Sequence, residues 1–292
     1  GVGIMMKRIV TIQDISCFGK CSSTVALPLI SAMGVEAAVI PTAVLSTHTG
    51  GFTGYTFRDL TADIPKIAQH WKSLQLEFDG IYTGYLGSRE QVQIVSNFFD
   101  QFRSSNTKIV VDPVMGDFGK FYAGFTMDFV AEMRQLCQKA DVIVPNLTEV
   151  SLLLGIPYPE NYTEADVHNM LRQLTALGCS SAVITGIQYD DTNHGAVAYD
   201  SKSDHFYQTF RNHVPEPMHG TGDIFASVLS GALIRGASLE QALSIAVNFT
   251  ADTIEATLSD LRTLPREKAP WYGVYFESCI GKLVSYTSEI HA

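Results

Sequence analysis

The chain has little charge: 17% of its 292 residues are Asp, Glu, Lys or Arg, against 46% hydrophobic. That balance excludes a disordered, self-repelling chain and leaves ample material for a core. Positive charge is the scarcer sign, 20 Lys and Arg against 30 Asp and Glu, for a net charge of -10. A general nucleic-acid binder, which needs a basic patch, is not expected. Anionic ligands are not excluded, because backbone N–H groups bind phosphate without net positive charge. Cysteine is sparse and scattered, at Cys17, Cys21, Cys137, Cys179 and Cys279. The odd count and the lack of a signal-peptide pattern lead us to expect reduced thiols and a cytoplasmic protein. The CFGKC pair has no second Cys or His pair at ligand spacing, so no zinc site is expected. Apolar runs are too short and interrupted for a membrane span. No Walker A string or protein-kinase loop set occurs, so a nucleotide would need another cradle. Repeats, low-complexity stretches and linkers are also missing. Residues 6–292 are therefore expected to form one domain, and residues 1–5, which precede a candidate start at Met6, are set aside.

What is present alternates. Strand-like runs at 7–13, 35–41, 79–88, 108–117, 141–146 and 180–186 are separated by helix-like stretches such as 21–34, 62–74 and 163–178. In the helix over 62–74, Ile64, Ile67, Ala68 and Trp71 share a face. HGAVAYD and DHFYQTF read as an antiparallel pair, and the chain beyond His219 reads as helical up to a loop over 263–270, followed by a terminal helix. The segment 45–57 has loop composition. Apolar strands separated by helices predict a three-layer α/β/α fold with a mostly parallel central sheet. Ligands of such sheets bind beyond the carboxyl ends of the strands. Polar punctuation falls there repeatedly: Gln13-Asp14, Gly84-Tyr85, Asp112 through Asp117, Asn146 and Thr185-Gly186.

Three junctions carry candidate chemistry. In PMHGTGDIFASVLSGALIRG (217–236), Gly220, Thr221 and Gly222 precede a helix whose N–H groups and dipole favour an anion. Asp223 could accept a proton from an attacking hydroxyl. The same string would also serve as a plain glycine turn with Asp223 in the first helical turn. VDPVMGD places Asp112 and Asp117 after a strand, where one or two carboxylates suit Mg²⁺, although two ordinary turns fit as well. Met115 and Phe118 are expected to pack or to shape this loop. Asn146 and Glu149 of NLTE could face a ligand, or form a helix cap.

Taken together, RIVTIQ, LSTHTG, TGYLGS, VDPVMGD, VPNLTE, VITG and GTGD occur in an order and spacing that resemble the ribokinase-like superfamily, most closely its pyridoxal kinase branch, over residues 7–260. The resemblance implies transfer of the γ-phosphate of ATP to the 5′-hydroxymethyl group of pyridoxal, pyridoxine or pyridoxamine. It implies Asp223 as base, the amides of Gly220, Thr221 and Gly222 around the transferring phosphoryl group, and Asp112 and Glu149 near Mg²⁺. Asn146, Asp117, Tyr122, Thr185 and Gly186 match ATP phosphate positions, and His48, Thr49 and Tyr85 match ring-binding positions. Taken alone, His48 and Tyr85 would rather be packed or surface residues. A homodimer and a K⁺ requirement are also implied. The helix over 248–253 either lines the adenine site or simply packs.

Many relatives carry Ser where Asp14 stands. Asp14 is expected to touch the polar edge of the ring, the alternative being a cap on the loop that follows it. The neighbouring activities are a hydroxymethylpyrimidine kinase and an inactive vitamin B6-binding protein. Several of the former carry Cys in place of the base. Sugar kinases usually add a lid of strands early in the chain, which is not evident between residues 35 and 60.

Overall fold

The structure is a computed structural model and describes residues 5–290; residues 1–4 of the segment set aside above lie outside the described residues. Its strands are β1 (Arg8–Phe18), β2 (Glu36–Thr47), β3 (Phe57–Asp59), β4 (Gly80–Thr83), β5 (Lys108–Val111), β6 (Gly116–Asp117), β7 (Lys120–Phe121), β8 (Val142–Ile143), β9 (Ser181–Ile187), β10 (Asn193–Asp200) and β11 (His205–Asn212). The helices are α1 (Ser23–Ala32), α2 (Ile64–Ser73), α3 (Arg89–Phe102), α4 (Met127–Gln138), α5 (Leu147–Leu154), α6 (Glu164–Ala176), α7 (Thr221–Ile234), α8 (Leu239–Thr263) and α9 (Ile280–Ser288).

Nine strands form one sheet in the order β11-β10-β9-β8-β5-β4-β1-β2-β3, while β6 and β7 form a separate hairpin. The six strands from β9 to β2 are parallel; β10, β11 and β3 are antiparallel additions at the edges. Helices α2 to α6 cover one face, and α1, α7, α8 and α9 the other. Because both faces are covered, strand residues are apolar on both sides: Val10 and Ile12 enter the first core, Ile9 the second, all fully buried. Full burial of such a side chain stabilises by about 1.5–3 kcal/mol. The three-layer architecture is the one expected.

The chain runs from β1 outward to β2, then crosses back to place β4 on the other side of β1. The crevice of an open α/β sheet lies at such a reversal, beyond the carboxyl ends of the strands. Here it falls beside Gln13-Asp14 and Gly84-Tyr85. Gly84 is required by close approach, since a Cβ there would overlap the Gln13 side chain.

The bounds 35–41 and the reading of 45–57 as loop are corrected at their ends, since β2 runs on to Thr47 and β3 begins at Phe57. β1 and β2 continue past the sheet body, pairing Ile15 with Val44, Ser16 with Leu45 and Phe18 with Thr47, and β3 adds to β2 opposite Ala43, Val44 and Leu45. These ends satisfy one another's backbone. The Gly/Thr-rich residues 48–56 between β2 and β3 read as loop and hide the strand ends on either side. Among the described residues, no helix is long and apolar enough to cross a membrane.

Candidate active site

Helix α7 is an internal rod: every residue from Ile224 onward in it is buried. Its Ala, Ser and Gly content lets neighbouring helices approach. A Cβ at Gly231 would lie 2.6 Å from Met33 Sδ of the segment following α1. The N-terminus of this fixed rod is not capped by a side chain, unlike those of α3, α5, α6 and α8. Gly220 holds φ +83°, and a Cβ there would strike the Lys20 carbonyl oxygen. Only glycine meets both conditions without strain. The free N–H groups and the helix dipole thus face the crevice.

Asp223 stands in the first turn of α7, partly exposed yet enclosed mostly by protein. Its Oδ2 accepts a hydrogen bond from Ser22 N–H at 2.9 Å. Burial pushes its carboxyl up to about 6, with the charge of Asp14 adding and the Ser22 N–H opposing. A base with that pKa is ionised at neutral pH and can still hold a proton.

The second cluster joins the β6–β7 hairpin to α5. Asn146 caps α5, accepting from Glu149 N–H at 2.9 Å, and its Nδ2 donates to Gly116 O at 2.9 Å. Glu149 is buried; its Oε1 accepts from Asn146 N–H at 2.9 Å and its Oε2 from Met115 N–H at 3.0 Å. The capping reading of NLTE is therefore correct as geometry, and the same carboxylate also holds the VDPVMGD loop. Asp112 is buried, and burial pushes its carboxyl well up, reinforced by Glu149 and then Asp223. Burial likewise raises Glu149, to about 8, against the pull of the Asn146 and Met115 N–H groups. None of Asp112, Glu149 and Asp223 enters an ion pair among the described residues.

Asp117 and Tyr122 lie exposed on the hairpin side, the Asp117 carboxylate accepting from Phe118 N–H at 2.9 Å. Met115 is fully buried, whereas Phe118, with φ +50°, is 75% exposed at the hairpin tip. Thr185 bridges to Asn146 across the parallel strands, its N–H donating to Pro145 O at 3.0 Å, and exposed Gly186 follows with φ +70°.

At the β1 end, Asp14 is buried at the irregularity between Gln13 and Ile15. Its Oδ1 accepts from Ser22 Oγ at 2.7 Å and its Oδ2 from Ser16 Oγ at 3.2 Å. Burial raises its carboxyl, which the two serines partly offset. The residues after Asp14 are strand rather than loop, so the donors it finds are hydroxyls rather than the backbone amides of a capped loop. Tyr85 is half-buried and packs edge-on against Phe125, centroids 5.7 Å apart. Thr49 is exposed.

His48 is buried with both ring nitrogens engaged: Gly50 N–H lies 3.1 Å from Nδ1, and Nε2 lies 2.8 Å from Tyr272 O. Since Nδ1 accepts, Nε2 must carry the proton and donate to the carbonyl. His48 therefore offers no free nitrogen to a ligand.

A sequence model of the phosphomethylpyrimidine kinase family matches residues 27–263. The chain belongs to this family. Among its relatives is the pyridoxine/pyridoxal/pyridoxamine kinase of Bordetella avium, 28% identical over 263 residues and 85% of each chain. Among solved structures, a candidate phosphomethylpyrimidine kinase from Bacteroides thetaiotaomicron is 40% identical, with a TM-score of 0.90, covering 97% of this chain and 96% of that one. A second crystal form of that protein contains pyridoxal. The pyridoxal kinase of Lactobacillus plantarum is 34% identical, with a TM-score of 0.87, over 99% of this chain and 100% of that one. The fold of this family member is accordingly ribokinase-like.

In this kinase-family chain, the residue that sequence reasoning missed is Ser22. Its N–H reaches Asp223 and its hydroxyl reaches Asp14, tying two candidate site residues together. It does so at φ +54°, ψ −131°, a sparsely populated conformation for a residue with a Cβ. The run CSSTVALPL reads as continuous helix, and nothing in it marks the strained residue. Thr148, whose Oγ1 accepts from Gly119 N–H at 2.9 Å, was also missed. The 248–253 stretch packs: Asn248 and Asp252 take Arg211, and Asp252 also takes the Tyr286 hydroxyl at 2.6 Å.

Proposed function

We propose that the chain transfers the γ-phosphate of ATP to the 5′-hydroxymethyl group of pyridoxal or a sister B6 vitamer. The observation that carries this reading is the Asp223 carboxylate, raised to about 6, standing in the first turn of an uncapped helix N-terminus beside the crevice of the sheet. Phosphoryl transfer needs positioning and charge stabilisation more than covalent chemistry. Asp223 takes the proton of the acceptor hydroxyl. The amides of Gly220, Thr221 and Gly222 receive the phosphoryl oxygens, and Asn146, Asp117, Tyr122, Thr185 and Gly186 serve the ATP phosphates. Asp14, Thr49 and Tyr85 orient the ring, and His48 holds the loop that carries Thr49.

Mg²⁺ fits the residues present. Two buried carboxylates without a cationic partner, Asp112 and Glu149, are both pushed up by burial, Asp112 further by the charge of Glu149 and Glu149 by that of Asp117, and a divalent cation would relieve both. No cluster of three or more candidate ligands occurs among the described residues. That suits a cation completed by phosphate oxygens and water. When bound, the ion supplies positive charge to the phosphate oxygens. A K⁺ requirement, a homodimer, a single catalytic domain and a cytoplasmic setting belong to the same reading, supported by the resemblance of the motifs.

ADP release that depends on pyridoxal tests the proposal; release that is indifferent to every B6 vitamer overturns it. A second reading, phosphorylation of hydroxymethylpyrimidine, is favoured by the name of the matching family. Asp223, where several such enzymes carry Cys, speaks against it.

A further inference from the structure

Outside both hydrophobic cores lies a cluster of partly exposed aromatic rings: Phe18, Phe52, Trp271 and Tyr272. Phe52 and Trp271 have centroids 4.6 Å apart, Phe18 and Tyr272 5.0 Å apart, and Arg266 caps Trp271 at 4.8 Å. The rings come from three separate segments: the end of β1, the loop 48–52, and the connection 264–276 between α8 and α9. All three adjoin the Asp223 cradle. Lys20 O fills the space beside Gly220, the His219 ring lies 2.7 Å from where a Gly50 Cβ would stand, and the Trp271 ring 2.9 Å from a Gly51 Cβ.

The connection 264–276 is held there by specific bonds. His48 Nε2–H donates to Tyr272 O, as the tautomer argument requires, and Lys20 pairs with Glu277. The Lys20 stem occupies the space that a side chain on Gly273 would take. Half-exposed aromatic faces next to a catalytic cradle suit a planar ring, which stacks on them in offset or edge-on fashion.

We infer that the connection 264–276, latched by His48, forms the outer wall of the acceptor-ring site, and that Trp271 with Phe52 determines how tightly a planar heteroaromatic acceptor is held. This rests on the kinase reading above. In it His48 is a positioning residue: it acts through Tyr272 and the wall rather than by touching the ring.

The chain has two tryptophans, and Trp71 packs on Phe78, remote in sequence from the wall. In a Trp71→Phe background, Trp271 emission becomes a single reporter. Titration with pyridoxal alone should quench it saturably. Trp271→Ala should raise KM for pyridoxal about tenfold, the scale of one lost ring-stacking contact, with the loss falling on KM more than on kcat and with KM for ATP little changed. His48→Phe keeps a ring against Phe52 but removes the donor, so it should weaken pyridoxal binding and the quench together. His48→Gln, whose amide can donate to Tyr272 O, should recover part of both. Because Trp271 is partly exposed, its truncation should spare the fold, which the melting temperature will show. Turnover of pyridoxal with silent Trp271 emission, or a wild-type KM in Trp271→Ala, overturns the inference alone. Wild-type protein that neither binds nor phosphorylates pyridoxal overturns the kinase reading and the inference with it.

Discussion

Replacing Asp223 with Asn should produce a protein that is more stable and nearly inactive. The amide oxygen can still accept the Ser22 N–H bond seen at 2.9 Å, so the local geometry survives. What it cannot do is take the acceptor's proton, and general-base contributions are typically ~10²–10⁴-fold. The stability change follows from the pKa. The carboxyl is raised from 3.8 to about 6, so its ionised form is disfavoured in the folded chain. That penalty is present above about pH 6 and is relieved as pH falls toward the unfolded value. A shift of about two units corresponds to at most roughly 3 kcal/mol, reduced by the partial exposure of the side chain. The amide also forfeits about 0.3–1 kcal/mol of interaction with the α7 dipole. A net gain of about 1–2 kcal/mol remains at pH 8, or roughly 2–3 °C in Tm. The assays are thermal melts at pH 8 and pH 5, with kcat measured at saturating ATP and pyridoxal. At pH 5 the gain should be about half as large, vanishing only below about pH 4, and wild-type kcat/KM should fall about tenfold below its value at pH 7, as Asp223 takes up its proton. Turnover within threefold of wild type would remove Asp223 from the base role, and a lowered Tm at pH 8 would refute the desolvation argument.

Glu149→Gln should raise the Mg²⁺ requirement. With Glu149 near 8, cation binding displaces a proton, so the wild-type half-saturating Mg²⁺ should fall about tenfold from pH 6.5 to 7.5, and the variant should lose that slope. Parallel Mg²⁺ titrations in both proteins would leave Glu149 as a cap only. Gly220→Ala forces a side chain into φ +83° and against Lys20 O. It should cost about 1–3 kcal/mol in denaturant melts and most of the turnover, and wild-type values of both would show that the cradle tolerates rearrangement. Asp14→Asn should raise KM for pyridoxal about tenfold or more while leaving KM for ATP alone, as expected for loss of a charge-assisted bond of ~1.5–3 kcal/mol. An unaltered pyridoxal KM with a lowered Tm would make Asp14 only an anchor for Ser16 and Ser22.

The layered fold was legible because strand and helix periods alternate so regularly, and buried β1 and β5 carry β-branched runs that nothing else explains. The ends of β1 and β2 were not, because Pro41 interrupts one strand, Asp14 the other, and the Gly/Thr-rich stretch that follows β2 looks like loop. At the site, Asp223, Asp112 and Glu149 stood out as carboxylates between strand-like and helix-like stretches, and Gly220 as a glycine just before a helix. Ser22 did not, because its importance lies in a backbone angle that composition does not encode. His48 was visible, but its partner Tyr272, more than 200 positions away, was not, so the bond between them could not be read from the sequence.

The most direct test offers the protein equimolar pyridoxal and hydroxymethylpyrimidine with ATP and Mg²⁺, and identifies the phosphorylated products by mass spectrometry against ADP formed. Pyridoxal 5′-phosphate in at least tenfold excess, matching ADP one for one, is the predicted result. Predominance of hydroxymethylpyrimidine phosphate, or ADP without either phosphorylated acceptor, would contradict it.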